Sequence, residues 1–363
     1  MNTFTLNGKT IDTHQLLNEE LETSYQSNFE IDTLIFIKTW LTGQNEFLIQ
    51  TSGSTRDPKI ISFSRKQIIT SAKRTLDTFN IKKGDKMLAC LNPKFIAGTM
   101  MLVRAIEGEL ELTAVTPSVN PLAKLNHDDT FDFAAFSPNQ IEHILQESPD
   151  KLNQIKMILI GGAGVHPILE EKLQEVKSMV FHSYAMTETL THSAIRRVNG
   201  SEKSSVFHAI KGVTFTLDKR SCLVIHDQVL GIKKLITTDI VELFDEFTFQ
   251  WKGRYDHVIN SGGIKIQVEF IEQEIKKIFQ SKDLNYRFCV VSEPDLALTN
   301  KIVLLIELRD LHFNKPFILK ILQEKLPKYH SPKKIIQVPE IILTKTGKID
   351  RIRNSDVYLR HGN

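Results

Sequence analysis

The chain has 363 residues, of which 41% are hydrophobic and 25% are charged, a balance typical of a globular protein with a full core rather than of a disordered chain. The formal net charge is only +3, and the positive excess lies in residues 257–363, which carry 18 Lys and Arg against 12 Asp and Glu. Without interleaved aromatic and basic residues, so small an excess argues against nucleic-acid binding. No apolar run reaches the roughly 18 residues of a membrane span, and no basic patch precedes an apolar stretch at the N-terminus. We therefore expect neither a membrane span nor a secretion signal.

Two further features of composition concern location and domain number. The three cysteines, Cys90, Cys222 and Cys289, are odd in number and lack the spacing of a metal site, which favours a reducing, cytoplasmic location. The length predicts about two domains. We place them at residues 1–255 and 256–363, with the boundary near Asp256.

From residue 60 to residue 184 the pattern is α/β alternation, which predicts an open and mostly parallel sheet. Ser64-Arg65-Lys66-Gln67 resembles a capping box and should begin a helix that continues to about residue 79. The other helices are predicted at 96–106, 140–146 and 168–176, and the strands at 87–91, 110–115, 131–136, 155–160 and 180–184.

Residues 206–251 predict a small antiparallel β module, because short β-prone stretches alternate with turn residues there. Its strands should lie near 213–217, 223–225, 234–237 and 247–251. A helix at 268–279 and strands at 288–291 and 302–308 then predict a compact α+β unit. The predicted fold is thus α/β, with a large N-terminal domain and a smaller, mobile α+β C-terminal domain.

The segment Thr51–Lys59 combines hydroxyl side chains, a glycine and a lysine, which suits a loop that holds phosphate. It lies between the apolar segments 47–49 and 60–63, so we expect a loop anchored by two short strands. It is not a P-loop, because Pro58 precedes the lysine and a strand-like segment follows. Taken alone, the segment fits an ordinary polar hairpin turn equally well.

Five other segments follow in a fixed order. The first, Tyr184-Ala185-Met186-Thr187-Glu188-Thr189, offers an aromatic ring for stacking and a carboxylate for a magnesium ion, although it also fits a strand end with a core tyrosine. The others are 237–239, 253–256, 261–266 and 344–351.

Together these motifs resemble the adenylate-forming superfamily of acyl-CoA synthetases, adenylation domains and luciferases, over residues 47 to 353. The resemblance implies that the loop binds the phosphates of ATP, that Tyr184 stacks on adenine, that Thr187 contacts the α-phosphate and that Glu188 binds Mg²⁺. The implied phosphate ligands are Thr51, Ser52, Gly53, Ser54, Thr55 and Lys59, and the turn Gly161-Gly162-Ala163-Gly164 would lie beside the adenine.

The resemblance also assigns residues to the ribose, the hinge and the chemical step. Asp239 would accept hydrogen bonds from the ribose hydroxyls, and Arg254 would reach the ribose or phosphate. Asp256 matches the hinge of the C-terminal domain, and Lys348 matches the lysine that this domain inserts for the first half-reaction. Gly262 and Gly263 match the segment along which coenzyme A passes.

The implied activity is an AMP-forming acid:CoA ligase that uses ATP, Mg²⁺ and coenzyme A. Among members of the superfamily, the sequence around these motifs is most similar to the compact o-succinylbenzoate:CoA ligases of menaquinone biosynthesis. Such an acid needs a cationic partner for its second carboxylate. The candidates are Lys94, His192, Arg196 and Arg197, each of which could equally be a surface charge.

Departures from the superfamily pattern keep alternatives open. Arg56 and Ala185 stand where glycines are usual, and only 50 residues precede the loop where relatives have well over a hundred, as if an N-terminal subdomain were trimmed. A ligase for another aryl or short-chain acid, or an enzyme that loads a carrier-protein thiol, fits the same motifs. A non-catalytic nucleotide sensor is the alternative from another class, and a homodimer is a plausible compensation for the short N-terminus.

Overall fold

A computed structural model of the chain describes residues 3–18, 28–50, 60–308, 314–344 and 348–360. The strands, in chain order, are β1 (Thr3–Leu6), β2 (Lys9–Asp12), β3 (Glu46–Gln50), β4 (Ile60–Ser64), β5 (Lys86–Ala89), β6 (Glu111–Ala114), β7 (Phe131–Phe136), β8 (Ile155–Ile160), β9 (Met179–Ala185), β10 (His192–Arg197), β11 (Val206–Ala209), β12 (Val213–Leu217), β13 (Cys222–Asp227), β14 (Ile232–Asp245), β15 (Thr248–Arg254), β16 (Val258–Ser261), β17 (Ile264–Gln267), β18 (Arg287–Asp295), β19 (Thr299–Glu307) and β20 (Lys334–Val338).

The helices are α1 (Thr13–Asn18), α2 (Asn28–Leu41), α3 (Arg65–Thr78), α4 (Ile96–Glu107), α5 (Pro138–Glu147), α6 (Pro167–Lys172), α7 (Val268–Gln280), α8 (Lys315–Lys325) and α9 (Arg351–Arg360). The predicted capping box of α3 is confirmed, since the Ser64 hydroxyl accepts from the Gln67 backbone N–H and the Gln67 side chain accepts from the Ser64 N–H. Across the described ranges, every helix is too short or too polar to cross a bilayer.

Thirteen strands form one sheet, in the order β12-β13-β14-β15-β11-β10-β9-β8-β7-β5-β6-β1-β2. The neighbours β1, β6, β5, β7, β8 and β9 run parallel, and the strands from β10 to β12 are antiparallel. The predicted α/β fold class is confirmed, and the antiparallel module continues the parallel sheet. Because β8 and β9 end at the same edge, the segments that follow them lie close together.

The parallel strands are covered on both faces, which explains why β7 and β8 are nearly continuous apolar runs. Along β7, Phe133 faces a core that includes Trp40 and the apolar side of α3, whereas Phe136 faces a second core that includes Ile141 of α5. Both strands were predicted with their observed bounds, because such runs have few alternative placements.

Several predicted elements differ in extent from the observed ones, and two of these differences have a clear structural reason. The expected strand at 234–237 is part of β14, which continues to Asp245 and changes partner from β13 to β15 along its length. The predicted break fell at Thr238 and Asp239, where the buried carboxylate is held by side chains from other strands. The helix predicted at 168–176 is shorter, because α6 ends at Lys172 and a 3-10 turn covers Leu173–Glu175.

A second sheet begins at Val258, two residues after Asp256. Its order is β17-β16-β19-β18, with β20 beside β19. Helices α7 and α8 contribute Ile271 and Leu322 to the core on one face, whereas Leu359 of α9 packs on the other. The predicted α+β unit is therefore observed, and its independence as a mobile domain stays a prediction.

A polar contact joins α7, which packs on the second sheet, to α5 and α6, which pack on the large sheet. Lys276 Nζ lies 3.2 Å from Glu142 Oε1 of α5 and 2.6 Å from Nε2 of His166, the residue that caps α6. His166 also bonds Glu142 directly. Burial alone would raise the pKa of Glu142, but the hydrogen bond from His166 and the charge of Lys276 lower it to about 2.

The buried ion pair between Arg74 of α3 and Asp227 of β13, at 2.9 Å, should be important for stability because both side chains are withdrawn from water. We expect Asp227→Asn to lower the free energy of unfolding by about 3 kcal/mol, since it leaves a buried guanidinium without its counter-charge. Urea denaturation followed by circular dichroism measures this. Lys83→Gln, which breaks the exposed pair with Glu109, is the control and should leave the midpoint unchanged. Equal effects of the two substitutions would contradict the prediction.

Candidate active site

The hydroxyl-rich loop joins two paired strands. β3 and β4 run antiparallel, and Gln50 pairs with Ile60, so the two ends of the loop are held side by side. The predicted flanking strands are thereby confirmed. The predicted phosphate-binding residues Thr51, Ser52, Gly53, Ser54, Thr55 and Lys59 lie outside the described residues.

Tyr184 and Asp239, predicted to contact the adenine and the ribose, are directly hydrogen-bonded. The Tyr184 hydroxyl donates to Asp239 Oδ2 at 2.6 Å, and Trp251 Nε1 donates to Oδ1 of the same carboxylate at 3.1 Å. Burial and the adjacent negative charge of Asp239 raise the pKa of Tyr184 well above its ordinary value, so the phenol remains a donor. The carboxylate retains further lone pairs that could accept from a ligand.

The glycine turn after β8 lies against the end of β9. Gly161 donates its backbone N–H to the carbonyl of Phe136 at 3.0 Å, and a Cβ on Gly161 would stand only 2.7 Å from the Ser183 hydroxyl. Gly162 has a φ of +87°, which favours glycine. The exposed backbone of residues 162–164 is therefore presented beside β9, and a flat ring could lie against it.

Thr187 and Glu188 lie in the 3-10 turn Thr187–Thr189 that follows β9. Thr187 is buried, and the Glu188 carboxylate is half-buried without a hydrogen-bond or ion-pair partner in the described part of the chain. No cluster of three His, Cys, Asp or Glu side chains forms a metal site within those ranges. A lone carboxylate fits Mg²⁺ that takes its remaining ligands from nucleotide phosphates and water, as this ion commonly does.

Arg254 and Lys348 lie beside the Tyr184–Asp239 pair. Arg254 donates from Nε and Nη2 to the two oxygens of Asp256, at 2.9 and 2.6 Å. Crowding by the protein and the charge of Arg254 lower the pKa of Lys348, whereas the charge of Asp239 opposes this change. The Lys348 side chain stays open to solvent, so it stands in a cleft rather than in the core. The structure thus brings Lys348 of the second sheet to Asp239 of the first.

Gly262 and Gly263 form the two-residue turn between β16 and β17. Their φ angles are +60° and +81°, the left-handed conformation that such a hairpin requires. A Cβ on Gly262 would lie 3.0 Å from the Tyr329 ring. Their contact with coenzyme A stays a prediction.

Three of the four residues suggested for the second carboxylate do not converge. Lys94 is exposed and lies 3.3 Å from Asp32. Arg197 donates from Nε to the side chain and carbonyl of Asn199, at 3.1 and 3.0 Å. Arg196 is buried and paired with Glu170. Consecutive residues of a strand face opposite sides, so the two arginines of β10 do not form one site.

The fourth residue, His192, belongs to a buried group that we call the cationic cluster, consisting of Arg74, Arg104 and His192. Arg104 Nη2 donates to the Thr191 hydroxyl at 2.6 Å, which lies 3.1 Å from His192 Nδ1. Burial and the charges of the two arginines lower the pKa of His192 well below its ordinary value, so it is neutral. Burial lowers the pKa of Arg104 only to about 9, so it is charged at neutral pH.

Several buried polar atoms of the cationic cluster have no hydrogen-bond partner in the described residues. Asp227 pairs with Arg74, but no carboxylate in the described residues pairs with Arg104. Buried polar atoms without a partner there are Arg104 Nε, His192 Nε2, Ser193 Oγ, Ser71 Oγ, and Nε and Nη2 of Arg74. Unpaired buried groups of this kind call for a ligand or water. Arg104 was not among the site residues predicted from the sequence, although its charge inside the apolar run of α4 is a signal that could have identified it.

Comparison with known proteins agrees with this arrangement. The profile of the AMP-binding enzyme family matches residues 17–217, more than half of the chain, and the chain belongs to that family. It is 35% identical to the acyl-CoA synthetase (AMP-forming)/AMP-acid ligase II-like protein from Dyadobacter fermentans DSM 18053, over 94% of this chain and 97% of that one, with a TM-score of 0.61. The protein is thus a member of the AMP-forming acyl- and aryl-CoA ligase superfamily.

Two more distant relatives are named for the same activity. The 2-succinylbenzoate–CoA ligase of Lactococcus lactis subsp. lactis (strain IL1403) is 24% identical over 324 residues, 84% of this chain and 69% of that protein. The o-succinylbenzoate coenzyme A synthetase from Bacillus subtilis, in complex with ATP and magnesium ion, is 19% identical, with a TM-score of 0.69 over 84% of this chain and 69% of that one. At 19% identity, the likeness to the Bacillus subtilis structure shows a shared fold and no more.

Trp251 should report on this site, because its indole shares the Asp239 carboxylate with Tyr184. In a Trp40→Phe variant, which leaves Trp251 as the single tryptophan of the chain, we expect AMP to change the fluorescence emission. In a Trp251→Phe variant, emission from Trp40 should not respond, since Trp40 is fully buried beside α4. A response from Trp40 alone would show that the nucleotide binds elsewhere.

Proposed function

We propose that the protein is an AMP-forming acid:CoA ligase that activates an aryl dicarboxylic acid, with o-succinylbenzoate as the candidate substrate. The observation that carries the proposal is Arg104, a buried cation without a counter-charge in the described ranges, which is linked through Thr191 to the Thr187–Thr189 turn. Thr191, which Arg104 contacts, accepts with its carbonyl from the Thr189 hydroxyl at 2.7 Å. A substrate whose one carboxylate reacts beside Thr187 would place a second carboxylate toward this cluster.

The first half-reaction needs alignment rather than a protein nucleophile. A carboxylate oxygen of the acid attacks the α-phosphorus of ATP, the bond to pyrophosphate breaks, and an acyl-adenylate forms. Thr187 would bind the α-phosphate, and the Lys348 ammonium would offset the charge that builds on the reacting oxygens. Mg²⁺ held by Glu188 would supply further charge neutralisation at the phosphates.

The nucleotide would be held by residues from the two halves of the large sheet. Tyr184 and the turn Gly161-Gly162-Ala163 would bracket the adenine, and Asp239 would accept from the ribose hydroxyls. Arg254, which already holds Asp256, lies beside the same carboxylate. The loop residues between β3 and β4 would bind the outer phosphates.

In the second half-reaction the thiol of coenzyme A attacks the acyl carbonyl and AMP leaves. We propose that the C-terminal unit, residues 256–363, turns about Asp256 between the two steps. This motion would withdraw Lys348 and present the Gly262–Gly263 turn, whose bare backbone admits a close pantetheine arm. The free and buried thiols of Cys90, Cys222 and Cys289 support a reducing compartment, and we propose the cytoplasm.

Lys348→Ala should separate the two half-reactions. We expect ATP–pyrophosphate exchange with the acid to fall by about 100-fold or more, since a charged group at the reacting phosphate is lost. Thioester formation from supplied acyl-adenylate and coenzyme A should remain within a few-fold of the wild type. An equal loss of rate in both half-reactions would contradict the proposal that Lys348 acts in the first one only.

Arg104→Gln should weaken recognition of the second carboxylate. We expect kcat/KM for o-succinylbenzoate to fall roughly 10- to 100-fold, the worth of a charge-assisted hydrogen bond. Turnover of 4-phenyl-4-oxobutanoate, which lacks the aryl carboxylate, should change much less. Product thioesters are identified by mass.

Arg197→Gln is the matched control, because Arg197 lies on the same sheet but pairs with Asn199. A similar loss in both arginine variants, or an equal loss with both acids, would remove Arg104 from the acid site. Failure of the wild type to form a thioester from o-succinylbenzoate would overturn the proposed substrate.

A further inference from the structure

Arg196, one of the residues suggested for the second carboxylate of the acid, has its guanidinium bonded to other residues of the protein. Its Nε donates to His182 Nδ1 at 3.3 Å, and its Nη1 donates to the Ser204 carbonyl at 3.0 Å. The Nη2 group is paired with Glu170. All three nitrogens of the guanidinium therefore have acceptors, and the charge is balanced within the protein.

The contact with Arg196 fixes the state of His182. Because arginine can only donate, Nδ1 of the imidazole must accept, and the ring proton is on Nε2. Nε2 then donates to the carbonyl of Ala163 at 3.2 Å. Burial and the charge of Arg196 lower the pKa of His182 to about 3, so the neutral ring keeps this pattern at any working pH.

His182 thereby anchors the glycine turn. Residues 162–164 are exposed, and in the described ranges His182 is their only hydrogen-bonding partner. Without it, the turn would have to be ordered when a ligand binds, at a cost in affinity.

The same guanidinium supports the opposite wall. It lies 5.4 Å above the ring of Phe207, which stacks on Phe249 with ring centroids 5.3 Å apart. Tyr184 packs edge-on against Phe249 at 5.1 Å and against Phe207 at 6.0 Å. The turn at Ala163 and the ring of Tyr184 thus rest on one buried unit of Arg196, His182 and Phe207.

We propose that Arg196 is a positioning residue for the nucleotide, which acts through His182 on the glycine turn and through Phe207 on Tyr184, and that it does not contact the acid. This inference rests on the proposed function, since it takes the pocket between turn and tyrosine to bind an adenine nucleotide. It separates two arginines of β10 that the sequence presents as equivalent. Arg196 faces the pocket, whereas Arg197 lies over Phe181 at 5.0 Å.

The test measures AMP binding by titration calorimetry, together with KM for ATP and for the acid in pyrophosphate release. His182→Leu removes both hydrogen bonds of the ring and should weaken AMP binding by about tenfold, with the same rise in KM for ATP and an unchanged KM for the acid. His182→Gln offers an acceptor to Arg196 and a donor to Ala163, so it should bind AMP within about twofold of the wild type. Arg196→Gln should resemble His182→Leu, and Arg197→Gln should resemble the wild type.

Several results would overturn the inference. One is unchanged AMP binding in His182→Leu, and another is a rise in KM for the acid equal to that for ATP. If Arg196→Gln fails to fold, the pair of His182 variants still decides, because thermal melting shows whether both fold and only one restores the hydrogen bonds. If the wild type does not bind AMP, the proposed function is contradicted as well. If the wild type binds AMP and no variant changes that binding, only this inference is contradicted.

Discussion

The carboxylate of Asp239 interacts with residues from the parallel strands, from the antiparallel strands and from the C-terminal part of the chain. Tyr184, at the end of the last parallel strand, and Trp251, on an antiparallel strand, both donate to it. The charge of Asp239 also opposes the lowering of the pKa of Lys348, which belongs to the C-terminal part of the chain. Since a buried carboxylate must keep its donors, these contacts fix how the two halves of the large sheet are joined at the cleft. The β-bulges of β14 let that strand place Asp239 inward while it changes partner.

Charge is distributed around this cleft with a clear asymmetry. On one side Arg196 has Glu170, the Ser204 carbonyl and His182, so that each nitrogen of the guanidinium has an acceptor. On the other side Arg104 has, among the described residues, only a hydroxyl and a thioether as partners, the latter at 3.5 Å. A protein normally satisfies its buried polar groups, and sites left unsatisfied are those where a ligand completes the set. This contrast between two buried arginines is the reason that we propose a positioning role for Arg196 and recognition of the acid for Arg104.

Much of the fold could be predicted from the sequence because its signals are local. The apolar runs of β7 and β8, the capping box at Ser64 and the amphipathic α7 each depend on neighbouring residues. The motif residues Tyr184, Asp239, Arg254 and Lys348 were found by their order, and the structure brings them together. Their assigned roles stay predictions, as does the homodimer.

What could not be predicted depends on distant contacts. Arg196 and Arg197 look alike in sequence, and only the partners contributed by α6 and β9 separate them. Arg104 was missed because its significance lies in having no carboxylate partner among the described residues, which only the folded structure shows. The length of β14 was missed because Asp239 and its threonines look like a turn, although side chains from other strands hold them in the sheet.

The contact of Lys276 with Glu142 and His166 would have to open if the C-terminal unit turns as proposed. The Lys276 and Glu142 side chains are each 34% exposed, so water can replace either partner as soon as the contact opens. An ion pair of this kind contributes little free energy. It can favour one position of α7 against α5, and it can break without unfolding either helix. A hydrophobic contact at this place would hold the two sheets together more firmly, whereas an exposed ionic contact would let them separate and dock again in the proposed motion of the C-terminal unit.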